Sequence, residues 1–302
     1  MNFDNAQQAS ERRFLQKKIA IVYDFDGTLT PQPMQEYTVL PELGIEPKSF
    51  WKEVETETIN TRGDPILTYM RLLVEKIETN KKHLSRRSLR KSARQIKYFN
   101  GVSTWFDRIN NYANFKANGR IEIAHYIVSA GLKEILEGIT IKQNFKQIYA
   151  SQYYFDHHEV AKFPTIVVND TTKTQFLFRI NKGLEGTLDN INEYMPEGIR
   201  PIPFRNMLYI GDGMTDVPSM TVVKKNDGFA IAVYKKNNRE SRSVCARLFK
   251  GNRIDFYAEA NYEESSELET QTKKILDLMI SKISFEEEKH SFINKIDSNH
   301  GD

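Results

Sequence analysis

Apolar and polar positions follow two regimes along this 302-residue chain. One short apolar run, Ile19–Tyr23, comes first and is followed at once by polar residues. Its length and continuity predict a central, buried strand. From about residue 47 the apolar positions recur every three or four residues, as one helix face requires. Pro47 suits a first helical turn, and Asp64–Pro65 supplies an N-cap followed by proline at the first helical position. Ile66, Tyr69, Met70, Leu73 and Ile77 then share one face, as do Val102, Trp105, Phe106, Ile109 and Tyr112 before Asn118–Gly119 stops the helix.

From Ile121 the regime changes to short apolar strands alternating with helices. Strands are predicted over residues 121–131, 145–150, 152–155, 165–169, 206–210 and 228–234. Helices are predicted over 132–138, 173–180 and 215–223. The last helix begins at Ser266 and is expected to bury Leu268, Ile275, Leu278 and Met279, with the charged stretch after Phe285 fraying. Such alternation predicts an α/β fold, a Rossmann-like parallel sheet flanked by helices. The helices between the first two strands read as an insertion. The expected organisation is a core of residues 1–30 and 118–302 with an α-helical cap subdomain over 31–117, lying above the strand ends where open α/β sheets bind ligands.

Composition excludes little. At 39% hydrophobic the chain can bury a core, and 43 basic against 40 acidic residues leave a net charge of +3, which by itself says nothing of nucleic acid. The region from Pro31 to Arg120 is net basic and the region after Asn252 net acidic, consistent with solvated helix faces. The most basic run, Lys81–Lys97, keeps an apolar stripe of Leu89, Ala93 and Ile96, which argues for a surface helix and against a nucleic-acid partner. The single cysteine, Cys245, can form no internal disulfide, so a reducing compartment is the default. A polar start without a long apolar run predicts neither signal peptide nor membrane anchor, hence a cytoplasmic protein. The oligomeric state is left open.

The chemistry concentrates at strand ends. In the stretch Ile19–Thr30, IAIVYDFDGTLT, Asp24 and Asp26 stand two residues apart and so share one side of an extended chain. Burying two like charges together calls for a compensating cation. Ser129 lies in IVSAG, Lys173 opens a helix, and residues 211–216 read GDGMTD. A doubly wound sheet brings such strand ends to one edge. A hydroxyl, a lysine and four carboxylates there suit a phosphate group and a divalent cation.

These four motifs, in this order and with a helical insertion after the first, resemble the haloacid dehalogenase superfamily, in particular its phosphoserine phosphatase-like branch with a helical cap. The resemblance implies a Mg²⁺-dependent phosphatase that hydrolyses a phosphomonoester through an aspartyl-phosphate. Asp24 is then the nucleophile and Asp26 the general acid, later the base. Thr28, Ser129 and the backbone near Gly131, at a helix start, would hold phosphoryl oxygens. Lys173 would screen the nucleophile from the phosphate, with Lys182 as a second candidate for that motif. Asp212, the Asp24 side chain and the Asp26 backbone carbonyl would bind Mg²⁺, and Asp216 would complete or orient the metal site. Glu36 and Arg62 are candidates for holding the rest of the substrate, expected to be a small phosphorylated metabolite. A phosphomutase of the same superfamily, or a non-catalytic phosphate-binding protein, are the alternatives.

Overall fold

The structure is a computed structural model and describes residues 16–298; the polar lead-in lies outside the described residues. Strand β1 (Lys18–Tyr23) leads into a helical region of α1 (Met34–Tyr37), α2 (Val39–Leu43), α3 (Pro47–Thr61), α4 (Pro65–Thr79), α5 (Arg86–Ser92) and α6 (Val102–Lys116). There follow β2 (Glu122–Leu132), α7 (Lys133–Leu136), β3 (Phe145–Phe155), β4 (Ala161–Ile166) and α8 (Lys173–Lys182). The chain then continues through β5 (Met207–Gly211), α9 (Val217–Lys225), β6 (Phe229–Tyr234), α10 (Arg239–Lys250), β7 (Phe256–Glu259) and α11 (Glu267–Ser298).

The seven strands form one sheet in the order β4-β3-β2-β1-β5-β6-β7, parallel throughout except that β4 runs antiparallel to β3. β1 sits at the centre, and the strands that follow it lie to either side. Tyr23 pairs with Ile127 of β2 and with Ile210 of β5, so residues just past these three points emerge together. That is the switch point of a doubly wound sheet.

Alternation along β1 sorts the core into two layers. Ile19, Ile21 and Tyr23 pack with Trp105, Phe106 and Ile109 of α6 and with Leu268, Ile275 and Met279 of α11. Ala20 and Val22 face the other way, toward Phe176, Leu177 and Ile180 of α8 and Met220 and Val223 of α9. Helix α6 packs against β2 and against α11. Its Trp105 Nε1 donates to the hydroxyl of Tyr23, directly behind the first motif.

Helices α3 and α4 start as the sequence predicts. Glu46 and Asp64 cap them through their carboxylates, each with proline at the first helical position. The pair packs together as a hairpin, with α4 against edge strand β4. Two side-chain bonds fasten it to the ends of β2 and β3: Tyr69 Oη donates to Ala130 O (2.9 Å), and Tyr153 Oη donates to Met70 O (2.8 Å).

Four details depart from expectation. Of the predicted strand over 165–169 only Thr165 and Ile166 are in β4; the Val168 N–H instead donates to Ser151 Oγ, and Asn169 accepts from Thr172 N in the turn before α8. Phe145–Ala150 and 152–155 are one strand. Leu278 is 45% exposed, because the buried stripe of α11 runs through Leu268, Thr272, Ile275, Leu276, Met279 and Ile283. Nor does α11 end at Phe285: it continues to Ser298, and Glu287 pairs with Lys17 (2.5 Å) and Arg120 (3.7 Å) at the foot of β1 and β2.

Candidate active site

At the carboxyl end of β1 the chain turns sharply, and the turn is fixed by glycine. Gly27 has φ +80°, and a Cβ there would lie 2.1 Å from Asp212 Oδ2. Both backbone conformation and close approach therefore exclude other residues. The first motif thus rests directly on the loop after β5.

Asp24 is 5% exposed, and its N–H donates to Ile210 O (3.0 Å), which carries the strand pairing one residue past β1. Its Oδ1 lies 3.0 Å from the Nζ of Lys173, the first residue of α8. The same Nζ donates to Asp216 Oδ1 at 2.7 Å. Asp216 is fully buried and held from two more directions: Tyr209 Oη donates to Oδ1 (2.7 Å) and the Asp212 N–H to Oδ2 (3.1 Å). Tyr209 reaches it because alternation along β5 points residue 209 to the α8 and α9 face, where Lys173 and Asp216 also lie. The sequence reading did not single out Tyr209; its place two residues before the GDG turn was the available signal.

Carboxylate oxygens of Asp24, Asp212 and Asp216 come within 4.8 Å of one another. Asp26 is outside this group, because its Oδ1 accepts from the Met34 N–H (2.8 Å). An all-carboxylate set around a glycine that leaves room for Asp212 fits a hard divalent cation such as Mg²⁺. The electrostatics agree. Burial raises the carboxyl of Asp24 to about 6, with Lys173 drawing it back and Asp216 pushing it up. Asp212 is raised well above the carboxylate range by burial and then by Asp216 and Asp24. Asp26 is raised well above that range too, by burial and then by Asp24. Lys173 remains a cation, since the neighbouring Asp216 and Asp24 outweigh its burial. One ammonium faces the three carboxyl groups of Asp24, Asp212 and Asp216, so their full ionisation would leave negative charge for a cation to neutralise.

The second motif lies across from this cluster. Ser129 is 1% exposed, and its Oγ accepts from the Gly131 N–H at 3.0 Å. Gly131 lies within β2, where pairing with β3 breaks register between Ser129 and Leu132, and the helix that follows is a single turn. Its N–H lies at the end of β2, one residue before the N-cap of α7. Thr28 Oγ1 and Gln35 Oε1 are buried without a hydrogen-bond partner among the described residues. The carbonyl of Thr28 accepts from Tyr262 Oη (2.8 Å), a contact from far along the chain.

Of the remaining candidates, Glu36 is near enough to Asp26 to push its carboxyl up. Lys182 Nζ donates to Ile191 O and Glu193 O, each at 2.6 Å, and takes no part in this cluster. Glu36 accepts from Trp51 Nε1 (2.9 Å). Arg62 is exposed, in the left-handed conformation that ends α3. In the basic run, Leu89, Ala93 and Ile96 are buried, while Arg86 covers the Phe155 ring and Arg90 pairs with Glu137.

The haloacid dehalogenase-like hydrolase family matches residues 21–221, which hold all four motifs. The chain belongs to this family of hydrolases. A protein of Borreliella burgdorferi with no assigned activity is 28% identical over 274 residues, covering 83% of this chain and 93% of its own. Among solved structures, a phosphoserine phosphatase carrying an analogue of its phospho-aspartyl intermediate is similar in fold. It aligns with a TM-score of 0.54 at 18% identity, covering 85% of this chain and 99% of its own. A haloacid dehalogenase-family hydrolase of Salmonella enterica serovar Typhi aligns with a TM-score of 0.53 at 16% identity, covering 81% and 68%. A probable phosphoserine phosphatase of Vibrio cholerae gives 0.54 at 14%, covering 89% and 67%. No helix among the described residues is long and apolar enough to cross a membrane.

Proposed function

We propose that this hydrolase is a Mg²⁺-dependent phosphatase acting on a small phosphorylated metabolite. The observation that carries the reading is the pairing of Asp24 with Lys173 at 3.0 Å while Asp26, two residues on, is held apart by the Met34 N–H. The two carboxyl groups thereby differ in role. Asp24, paired with a cation, attacks phosphorus as a carboxylate; the bond from phosphorus to the leaving oxygen breaks, and Asp26 gives that oxygen its proton. Burial beside Asp24 raises the Asp26 carboxyl well above the carboxylate range, which favours the proton this step needs. In the second step Asp26 takes a proton from water, the water oxygen attacks phosphorus, and the bond to Asp24 breaks to release inorganic phosphate.

Lys173 keeps its charge throughout and lowers the repulsion between Asp24 and the phosphoryl oxygens. Asp24 and Asp212, with the Asp26 carbonyl, would hold Mg²⁺, which would supply charge neutralisation for the phosphoryl group. Asp216 has both oxygens engaged by Lys173, Tyr209 and Asp212, so it orients those groups. The helices from Met34 to Ser92 act as the lid, and α6 stays with the sheet.

Asp24→Asn tests the reading. Turnover of an aryl phosphate is expected to fall by at least about 10³-fold, more than loss of a single stabilising donor typically costs. Turnover should also stop in EDTA and return with Mg²⁺. A variant at wild-type rate removes Asp24 as nucleophile, and undiminished turnover in EDTA removes the metal.

A further inference from the structure

The two backbone N–H groups that end β2 are already engaged by side chains of this chain. Gly131 donates to Ser129 Oγ (3.0 Å) and Leu132 donates to Met34 Sδ (3.2 Å). Met34 is fully buried at the start of α1, and its terminal methyl lies hard against Gly131. A Cβ on Gly131 would meet Met34 Cε at 2.0 Å, Sδ at 2.7 Å and Asp26 Oδ2 at 3.2 Å. The thioether and the carboxyl of Asp26 thus occupy the same few ångströms in front of the second motif.

A thioether is a weak acceptor, whereas a phosphoryl oxygen would accept a charge-assisted bond roughly twice as strong as a neutral one. Methionine also has three rotatable bonds and repacks readily. Its backbone N–H, which holds Asp26, need not move when Sδ and Cε swing away. A buried side chain on a weak bond, packed against the N–H groups that would hold the proposed substrate's phosphoryl oxygens, competes with that substrate.

We propose that Met34 is a displaceable plug of the phosphoryl seat: its thioether fills the space before Gly131 and Leu132, and an incoming phosphoryl group turns it out while Asp26 stays tethered to the Met34 N–H. This rests on the phosphatase reading above. The plug lowers apparent affinity for any phosphate by the fraction of time the seat is filled. It therefore acts on KM and on product inhibition more than on kcat.

The test is a titration of the full chain, labelled with [methyl-¹³C]methionine and ¹⁵N, with inorganic phosphate in Mg²⁺. Met34 is one of eight methionines, and its resonance is assigned by its loss in Met34→Leu. Its methyl signal is expected to shift and saturate together with the Gly131 and Leu132 amides. Met34→Ala should lower the phosphate inhibition constant about threefold or more, and Met34→Leu, which keeps bulk without the acceptor, should lower it less. If the two amides shift while the Met34 methyl stays put, the plug is wrong and the phosphatase reading stands. If neither amides nor methyl respond and the wild type hydrolyses no aryl phosphate, both fall. Should Met34→Ala not fold, the wild-type titration decides alone.

Discussion

The two halves of the candidate site are built on opposite terms. On the β1 and β5 side, two carboxylates are held from several directions: Asp216 by Lys173, Tyr209 and the Asp212 N–H, and Asp24 by Lys173 and, through its N–H, the Ile210 carbonyl. On the β2 side, the seat is filled by a thioether. The first half is preorganised, and its cost is excess negative charge. The second is provisional, and what fills it must move. A hydrolase gains from this division, since fixed charges stabilise a transition state without reorganising while an adaptable wall admits the substrate.

The contrast is most sharply broken at Lys173. Replacing it by Met removes the only ammonium paired with this carboxylate cluster among the described residues and leaves Asp24 and Asp216 buried without it. Breaking a buried pair from one side typically costs about 3–5 kcal/mol. Denaturant unfolding in EDTA should show a loss of that size, and turnover should be lost as well. A variant as stable as wild type would mean that the first half is not held by its charges.

Much of that half was legible beforehand. Asp24, Asp26, Lys173, Asp212 and Asp216 each sit at a strand end or helix start, and a parallel sheet brings such positions together whatever lies between. Tyr209, Met34, Tyr69 and Tyr262 were not legible as parts of the site. Each reads locally as an apolar position of a strand, helix or loop, and its polar atom acquires a role only when another part of the chain arrives. The same limit explains the misread edges. Val167 and Val168 look like a strand because β-branched apolar residues do so, yet Val168 is buried beside α8. The far end of α11 looks frayed because it is charged, yet Glu287 finds Lys17 and Arg120, which lie 270 and 167 residues back.

The charge excess makes a prediction with a definite sign. Asp24, Asp26 and Asp212 all have carboxyl groups raised by burial, Asp24 to about 6. A raised carboxyl favours the folded state fully below the ordinary value near 4, and that contribution is lost as pH rises through the raised value. For Asp24 alone the loss is on the order of 3 kcal/mol. In EDTA the melting temperature should therefore fall between about pH 4 and 7. A bound divalent cation favours the ionised carboxylates, so the stabilisation by Mg²⁺ should be small at pH 5 and larger at pH 8. An equal Mg²⁺ effect at both values would mean that the carboxylates are not what the cation meets.

The smallest test sets two buried tyrosines against each other, one from each half. Tyr209→Phe removes a 2.7 Å bond to a carboxylate, and bonds to charged groups contribute about 1.5–3 kcal/mol. Asp216 keeps Lys173 and the Asp212 N–H, which places the cost at the lower end of that range. Tyr69→Phe removes a neutral bond to Ala130 O, but that carbonyl also accepts from Ser151 Oγ (3.1 Å) and is not left unsatisfied. Its cost should stay near about 0.5 kcal/mol. The two also differ in kind: Tyr209→Phe should raise the Mg²⁺ concentration needed for half-maximal thermal stabilisation. Tyr69→Phe should leave that unchanged and speed amide exchange in α4, whose tie to the end of β2 it loosens. Equal losses, or a metal response from Tyr69→Phe, would mean that the two halves are a single coupled unit and that the lid helices bear on the carboxylates as directly as the sheet does.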